Sequence, residues 1–139
     1  MSKLILRALL GLFGLIALVT GGVGAFMGTE GIAMMADIAT QLDLSSQAGA
    51  TIDNEFRYFG GTWVGVGVML LYATWKWPES AVLIRFAALA IFIGGLGRLT
   101  PWVMGGMVPD SLLAPIVLEV IVMPALVFWD SRMRAKQAT

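Results

Sequence analysis

Glu119, Arg57 and Arg98 are the residues best placed to do chemistry, because each puts a charge in apolar surroundings. Glu119 is the only charge in the run 112–129, about seven residues from one end and ten from the other. If that run is a helix, a rise of ~1.5 Å per residue sets the carboxylate ~10 Å below one membrane face. An unpaired carboxylate there costs at least ~2.5 kcal/mol, so it is expected to be protonated or paired. Arg57 and Arg98 fall on the same side of the topology and are its natural partners. With Asn54, Asp53, Glu55 and Tyr58 they can form a polar cluster in the outer half of a helical bundle.

Two guanidiniums in an apolar site suit an anionic ligand such as a carboxylate or a lipid phosphate. The first reading is therefore a binding protein whose ligand residues are Arg57, Arg98, Glu119, Asn54 and Glu55. The ligand would be small and anionic or amphipathic, a lipid, or a partner helix. A second reading is an embedded lipid-modifying enzyme, an isomerase or hydratase with Glu119 as acid or base. A direct Arg98–Glu119 pair would occupy the carboxylate and argue against that chemistry. A third reading is a transporter subunit, and a fourth is a salt-bridge network that only holds helices together.

Composition narrows the field. The 139 residues are 58% hydrophobic and 13% charged, about half the charged share of a soluble domain. Nine basic and nine acidic residues balance, leaving no nucleic-acid footprint. Without cysteine or histidine there is no thiol redox, disulfide, histidine-ligated haem or Ser-His-Asp triad. No cofactor and no metal is expected.

The elements that must position these residues follow from four apolar blocks, with helices over about 4–27, 53–76, 80–99 and 111–131. The expected fold is all-α: one domain, 1–139, forming a polytopic four-transmembrane-helix up-down bundle. The first block also has features of a signal peptide, with basic residues ahead of it and Val23-Gly24-Ala25 near its end. Its uninterrupted stretch 8–27 is nevertheless the length of a span. Pro78 ends the second helix and opens the third, and Pro101, Gly105, Gly106 and Pro109 mark a turn-rich loop.

In the long connector 28–52, Ile32, Met34, Met35, Ile38 and Leu42 recur at helical spacing among Asp37, Gln41 and Asp43. That pattern fits an interfacial helix or lid, or a loop helix packed on the bundle end. Lys3, Arg7, Lys76, Arg85, Arg132, Arg134 and Lys136 fall on one side of the topology. Glu30, Asp37, Asp43, Asp53, Glu55 and Asp110 fall on the other. The positive-inside rule then places both termini in the cytoplasm, with the three C-terminal bases as an ordinary anchor at anionic lipid.

Asp53 and Arg57 are an i, i+4 pair with the acid first. Asn54, Arg57, Gly61 and Gly65 share one helix face, and Gly94 and Gly95 precede Arg98 by about a turn, leaving room beside it. Pro115 and Pro124 bracket Glu119, and Pro124 frees the Val120 carbonyl and favours a kink. Gly24 to Gly28 and Gly61 to Gly65 have small-xxx-small spacing, read as packing within the chain ahead of dimerisation. The nine methionines read as core filler.

The stretch Asp53-Asn54-Glu55-Phe56-Arg57-Tyr58-Phe59-Gly60-Gly61, followed by Gly94-Gly95-Leu96-Gly97-Arg98-Leu99, resembles a bacterial family of small four-helix membrane proteins. That family is known only as a domain of unknown function, and is DoxX-like in the broad sense. The resemblance covers nearly the whole chain. It implies an up-down bundle in the bacterial inner membrane with Glu55, Arg57 and Arg98 as signature positions, and it implies no activity. Candidate partners are membrane lipids, the ligand above, and copies of the chain or a larger membrane complex.

Overall fold

Apolar runs of this length leave the backbone to satisfy its own hydrogen bonds, and they fold as helices throughout. The computed structural model describes residues 3–37 and 42–136. Four long helices make up most of them: α1 (Lys3–Ala36), α2 (Gln47–Trp75), α3 (Ala81–Val103) and α4 (Asp110–Ala135). There is no strand among the described residues. By length and composition α1, α3 and α4 can cross a membrane. The expected fourth span, α2, has the length, but glycines at 60, 61, 65 and 67 with Thr62 and Thr74 dilute its apolar stretch.

The helices overrun their expected bounds. α1 continues past 27 to Ala36 by breaking at Gly28, whose φ of 63° and ψ of −142° only glycine adopts readily. The connector expected over 28–52 therefore shrinks, because 29–36 is helical and α2 already begins at Gln47. Within the amphipathic pattern, Ile38 and Gln41 lie outside the described residues. α3 runs through Pro101 to Val103 instead of stopping at 99.

The chain divides into two compact units, Leu12–Leu71, and Met1–Gly11 with Tyr72–Thr139. In the first, α1 and α2 run antiparallel and touch backbone to backbone through glycines. A Cβ on Gly14 would lie 3.1 Å from the Gly67 oxygen, and one on Gly67 would lie 2.8 Å from the Gly14 oxygen. One on Gly21 would lie 2.7 Å from the Val64 nitrogen and 2.9 Å from the Gly60 oxygen. Gly14 thus faces Gly67, Gly21 faces Gly60, and Gly28 faces Asp53, a seam that recurs every seven residues. Gly24 also meets Gly60, so it packs within the chain as expected, whereas Gly61 and Gly65 face open space.

In the second unit the core is two facing stripes with alternating steps of three and four. α3 contributes Ile84, Ala88, Ile91 and Gly95, and Arg98 is the next position in that sequence. α4 contributes Ile116, Glu119, Met123, Leu126 and Asp130, all buried. Leu6, Leu10, Ala73 and Trp77 are buried in the same unit. Two of the three acids of α4, Glu119 and Asp130, therefore occupy core positions.

Candidate functional site

Glu119 sits in a turn of π-helix, Leu118–Val122, within α4. Pro124 accounts for it: the ring has no N–H to offer and would clash with the Val120 carbonyl four residues back. A wider turn relieves the clash, and Met123 N–H donates to the Leu118 carbonyl, five residues back. The bracketing prolines thus produce a local widening where a kink was expected.

The carboxylate of Glu119 is buried, and Arg98 reaches it from α3. The guanidinium donates through Nε to Glu119 Oε2 at 3.0 Å. This is its only hydrogen bond among the described residues, and the arginine side chain stays 41% exposed. Gly95 makes the approach possible. A Cβ there would lie 2.7 Å from Glu119 Cβ and 2.8 Å from Val120 Cγ2. Gly94 and Gly97 have nothing within 4 Å of the place a Cβ would take. Because helical side chains lean toward the N-terminus, Arg98 overlies the turn that holds Gly94. One half of the ion pair is enclosed, and the other is partly exposed, with two Nη groups that make no hydrogen bond among the described residues.

Arg57 has different partners. Its Nε donates to Asp53 Oδ2 at 2.7 Å, confirming the i, i+4 pair, and its Nη1 donates to the Phe26 carbonyl at 2.7 Å. Asp53 Oδ1 in turn accepts the backbone N–H of Thr29 at 2.8 Å and its hydroxyl at 2.9 Å. The acid caps the helical segment that starts after Gly28, and the base caps the one that ends before it. Asp53 stands ahead of the apolar stretch 58–75. Its carboxyl is held down to about 2, first by the Thr29 N–H and then by the Arg57 side chain. Asn54 and Glu55 are exposed on the same helix, and neither side chain makes a hydrogen bond among the described residues.

Of the five expected ligand residues, the structure pairs Arg98 with Glu119 across two helices. It gives Arg57 a capping task within its own unit and leaves Asn54 and Glu55 at the surface. Trp63 points at α1, where its indole donates to Thr20 Oγ1 at 3.0 Å.

One polar centre escaped the sequence reading. Asp130 is fully buried. It accepts the Trp77 indole N–H at 2.6 Å and Arg134 Nε at 2.7 Å. Lys3 Nζ and the Arg134 guanidinium lie 5.8 and 5.5 Å from the Trp77 ring centroid. Arg134, expected to be an ordinary interfacial anchor, is largely withdrawn from the surface, with 15% of its side chain exposed. The signal was available: Asp130 and Arg134 are an acid-first i, i+4 pair, and Asp130 falls on the buried stripe of α4.

No curated protein and no solved structure gives a significant match to this chain. Residues 5–130 match the model of a family described only as a domain of unknown function, DUF4345, and the chain belongs to that family.

Proposed function

We propose that this chain is a small multi-pass protein of the bacterial inner membrane that holds a small anionic or amphipathic ligand through Arg98. The ligand is a free molecule, a lipid or a group on a partner helix. One observation carries the reading: Arg98 gives only Nε to Glu119, and its two Nη groups make no hydrogen bond among the described residues on a side chain that stays 41% exposed. Glu119 fixes the guanidinium from below, and the Nη pair offers the planar fork that suits a carboxylate or phosphate. Asn54, Glu55 and the remaining donor capacity of Arg57 are candidates for the same chemistry in their own unit.

All four helices cross the membrane in this reading, with both termini in the cytoplasm. The charge asymmetry between Lys3, Arg7, Lys76 and Arg85 and the acids of the opposite loops supports it. So does α2, whose Gly60 and Gly67 are packed against α1 and whose lost hydropathy is not lost to charge. The enzyme reading is weaker, because the carboxylate it needs is engaged by Arg98.

The test is native mass spectrometry with lipidomics on the detergent-purified chain, comparing it with Arg98→Ala, Arg98→Lys and Arg57→Ala. A specific co-purifying anion lost in Arg98→Ala, with unfolding temperature retained, is the expected result. No bound species, together with a large fall in unfolding temperature in Arg98→Ala and Arg57→Ala, would reduce the arginines to helix fasteners.

A further inference from the structure

At the opposite end of α3 from Arg98, the second unit carries a groove with a charged mouth. The turn 76–80 is fixed from inside: Trp77 is tied to Asp130, and the Ser80 hydroxyl donates to the Ala73 carbonyl. Lys76 and Glu79 are left outside, and Lys76 Nζ rests 4.5 Å from the Trp75 ring centroid. Tyr72, Lys76, Glu79, Ser80, Val82 and Leu83 surround a concavity of about 560 Å³. A second, of about 300 Å³, is lined by Val82, Arg85, Phe86 and Leu89. The two share Val82. Both are open surface depressions.

Arg85 is exposed and makes no hydrogen bond or ion pair among the described residues. Val82, Phe86 and Leu89 follow at i, i+4 and i+7 and are exposed, so an apolar track of ~10 Å leads away from the two cations. Two cations, one carboxylate and an apolar track on adjoining concavities suit the phosphate, headgroup and acyl chain of a phospholipid.

We propose that this groove seats one phospholipid. Its phosphate lies between Lys76 and Arg85, and an acyl chain follows Val82, Phe86 and Leu89. Glu79 accepts a hydrogen bond from the headgroup. That selects headgroups with an N–H or O–H to donate, such as ethanolamine or glycerol. It disfavours choline, whose quaternary nitrogen has none. The proposal rests on the membrane embedding argued above and is independent of Arg98.

The full-length chain is reconstituted with equimolar phosphatidylethanolamine, phosphatidylglycerol and phosphatidylcholine, and retained lipid is counted by native mass spectrometry. Ethanolamine or glycerol lipid should be retained about tenfold over choline lipid, the selectivity expected of one charge-assisted hydrogen bond. Lys76→Ala with Arg85→Ala should abolish retention, and Lys76→Arg with Arg85→Lys should keep it. Arg98→Ala should leave it unchanged, which separates this groove from the site at Glu119. Glu79→Gln should lower ethanolamine retention relative to glycerol. Equal retention of all three lipids, or undiminished retention in the double alanine variant, overturns the proposal. Lys76 and Arg85 are exposed, and an unchanged unfolding temperature verifies that the variants fold.

Discussion

Alanine placed at Gly95 or at its neighbour Gly94 should move stability in opposite directions. In a helix interior the exchange itself favours alanine by about 1 kcal/mol. At Gly94 nothing lies within 4 Å of the new methyl, so that gain is expressed. At Gly95 the methyl meets Glu119 Cβ at 2.7 Å and Val120 Cγ2 at 2.8 Å. A Cβ cannot rotate away, so α3 and α4 must separate locally, and overpacking of this kind costs about 3 kcal/mol at its upper range. The net loss at Gly95 is about 2 kcal/mol, and the two variants should differ by about 3 kcal/mol. Thermal unfolding in one detergent, followed by tryptophan fluorescence, reads the difference as opposite shifts of several degrees. Stabilisation at Gly95 equal to that at Gly94 would refute the close approach of Glu119 to α3. Loss at Gly94 as large as that at Gly95 would show that a second chain packs on that face.

The ion pair is asymmetric, and so should be its variants. Arg98→Leu strands a buried carboxylate and should destabilise by about 3 kcal/mol; Glu119→Leu leaves a half-exposed arginine that reaches solvent or headgroups, at about 1 kcal/mol. Denaturant titration of both should show that order, and the reverse would contradict the burial of Glu119. Trp77→Phe keeps the ring between Lys3 and Arg134 but removes the N–H on Asp130, for a loss of about 2 kcal/mol in the same assay. No loss would deny that bond any stabilising part. Asp53 is depressed in the folded state, so its contribution is complete above its unfolded value near 4 and disappears as pH falls toward about 2. Proteolysis of 29–36 by an acid protease should therefore accelerate over that interval, and Asp53→Asn should cleave fast throughout; a flat wild-type profile would sever the link to the cap.

Much of this was readable because it is periodic. The four apolar blocks, the acid-first pair Asp53–Arg57 and the two candidate partners of Glu119, of which Arg98 makes the pair, follow from spacing and burial arithmetic. The caps on the broken α1 were not foreseen, because they depend on how α2 is registered against α1. The clue lay in Gly14, Gly21 and Gly28 opposite Gly60 and Gly67, all at intervals of seven. Asp130 was overlooked for a different reason. A charge near a helix end is usually solvated, and it takes the indole of Trp77, far away in sequence, together with Arg134 to make burial tolerable. The apolar blocks also set helix ends too early at 27 and 131, since Glu30 and Arg132 are polar residues that nonetheless continue their helices, and set the second helix's start at 53 where α2 begins at Gln47.

The glycine seam between α1 and α2 reverses the usual logic of a mutational scan. Elsewhere in a core, truncation removes contacts and exposes which ones matter. Here the contact is main chain against main chain, so there is no side chain to cut back. Every substitution at Gly14, Gly21, Gly60 or Gly67 inserts a wedge, and the atoms it meets, such as the Val64 nitrogen and the Gly60 and Gly14 oxygens, cannot change rotamer to yield. A scan restricted to trimming larger residues would find this stretch of the hairpin quiet. It would miss a surface where a single methyl can force two helices apart.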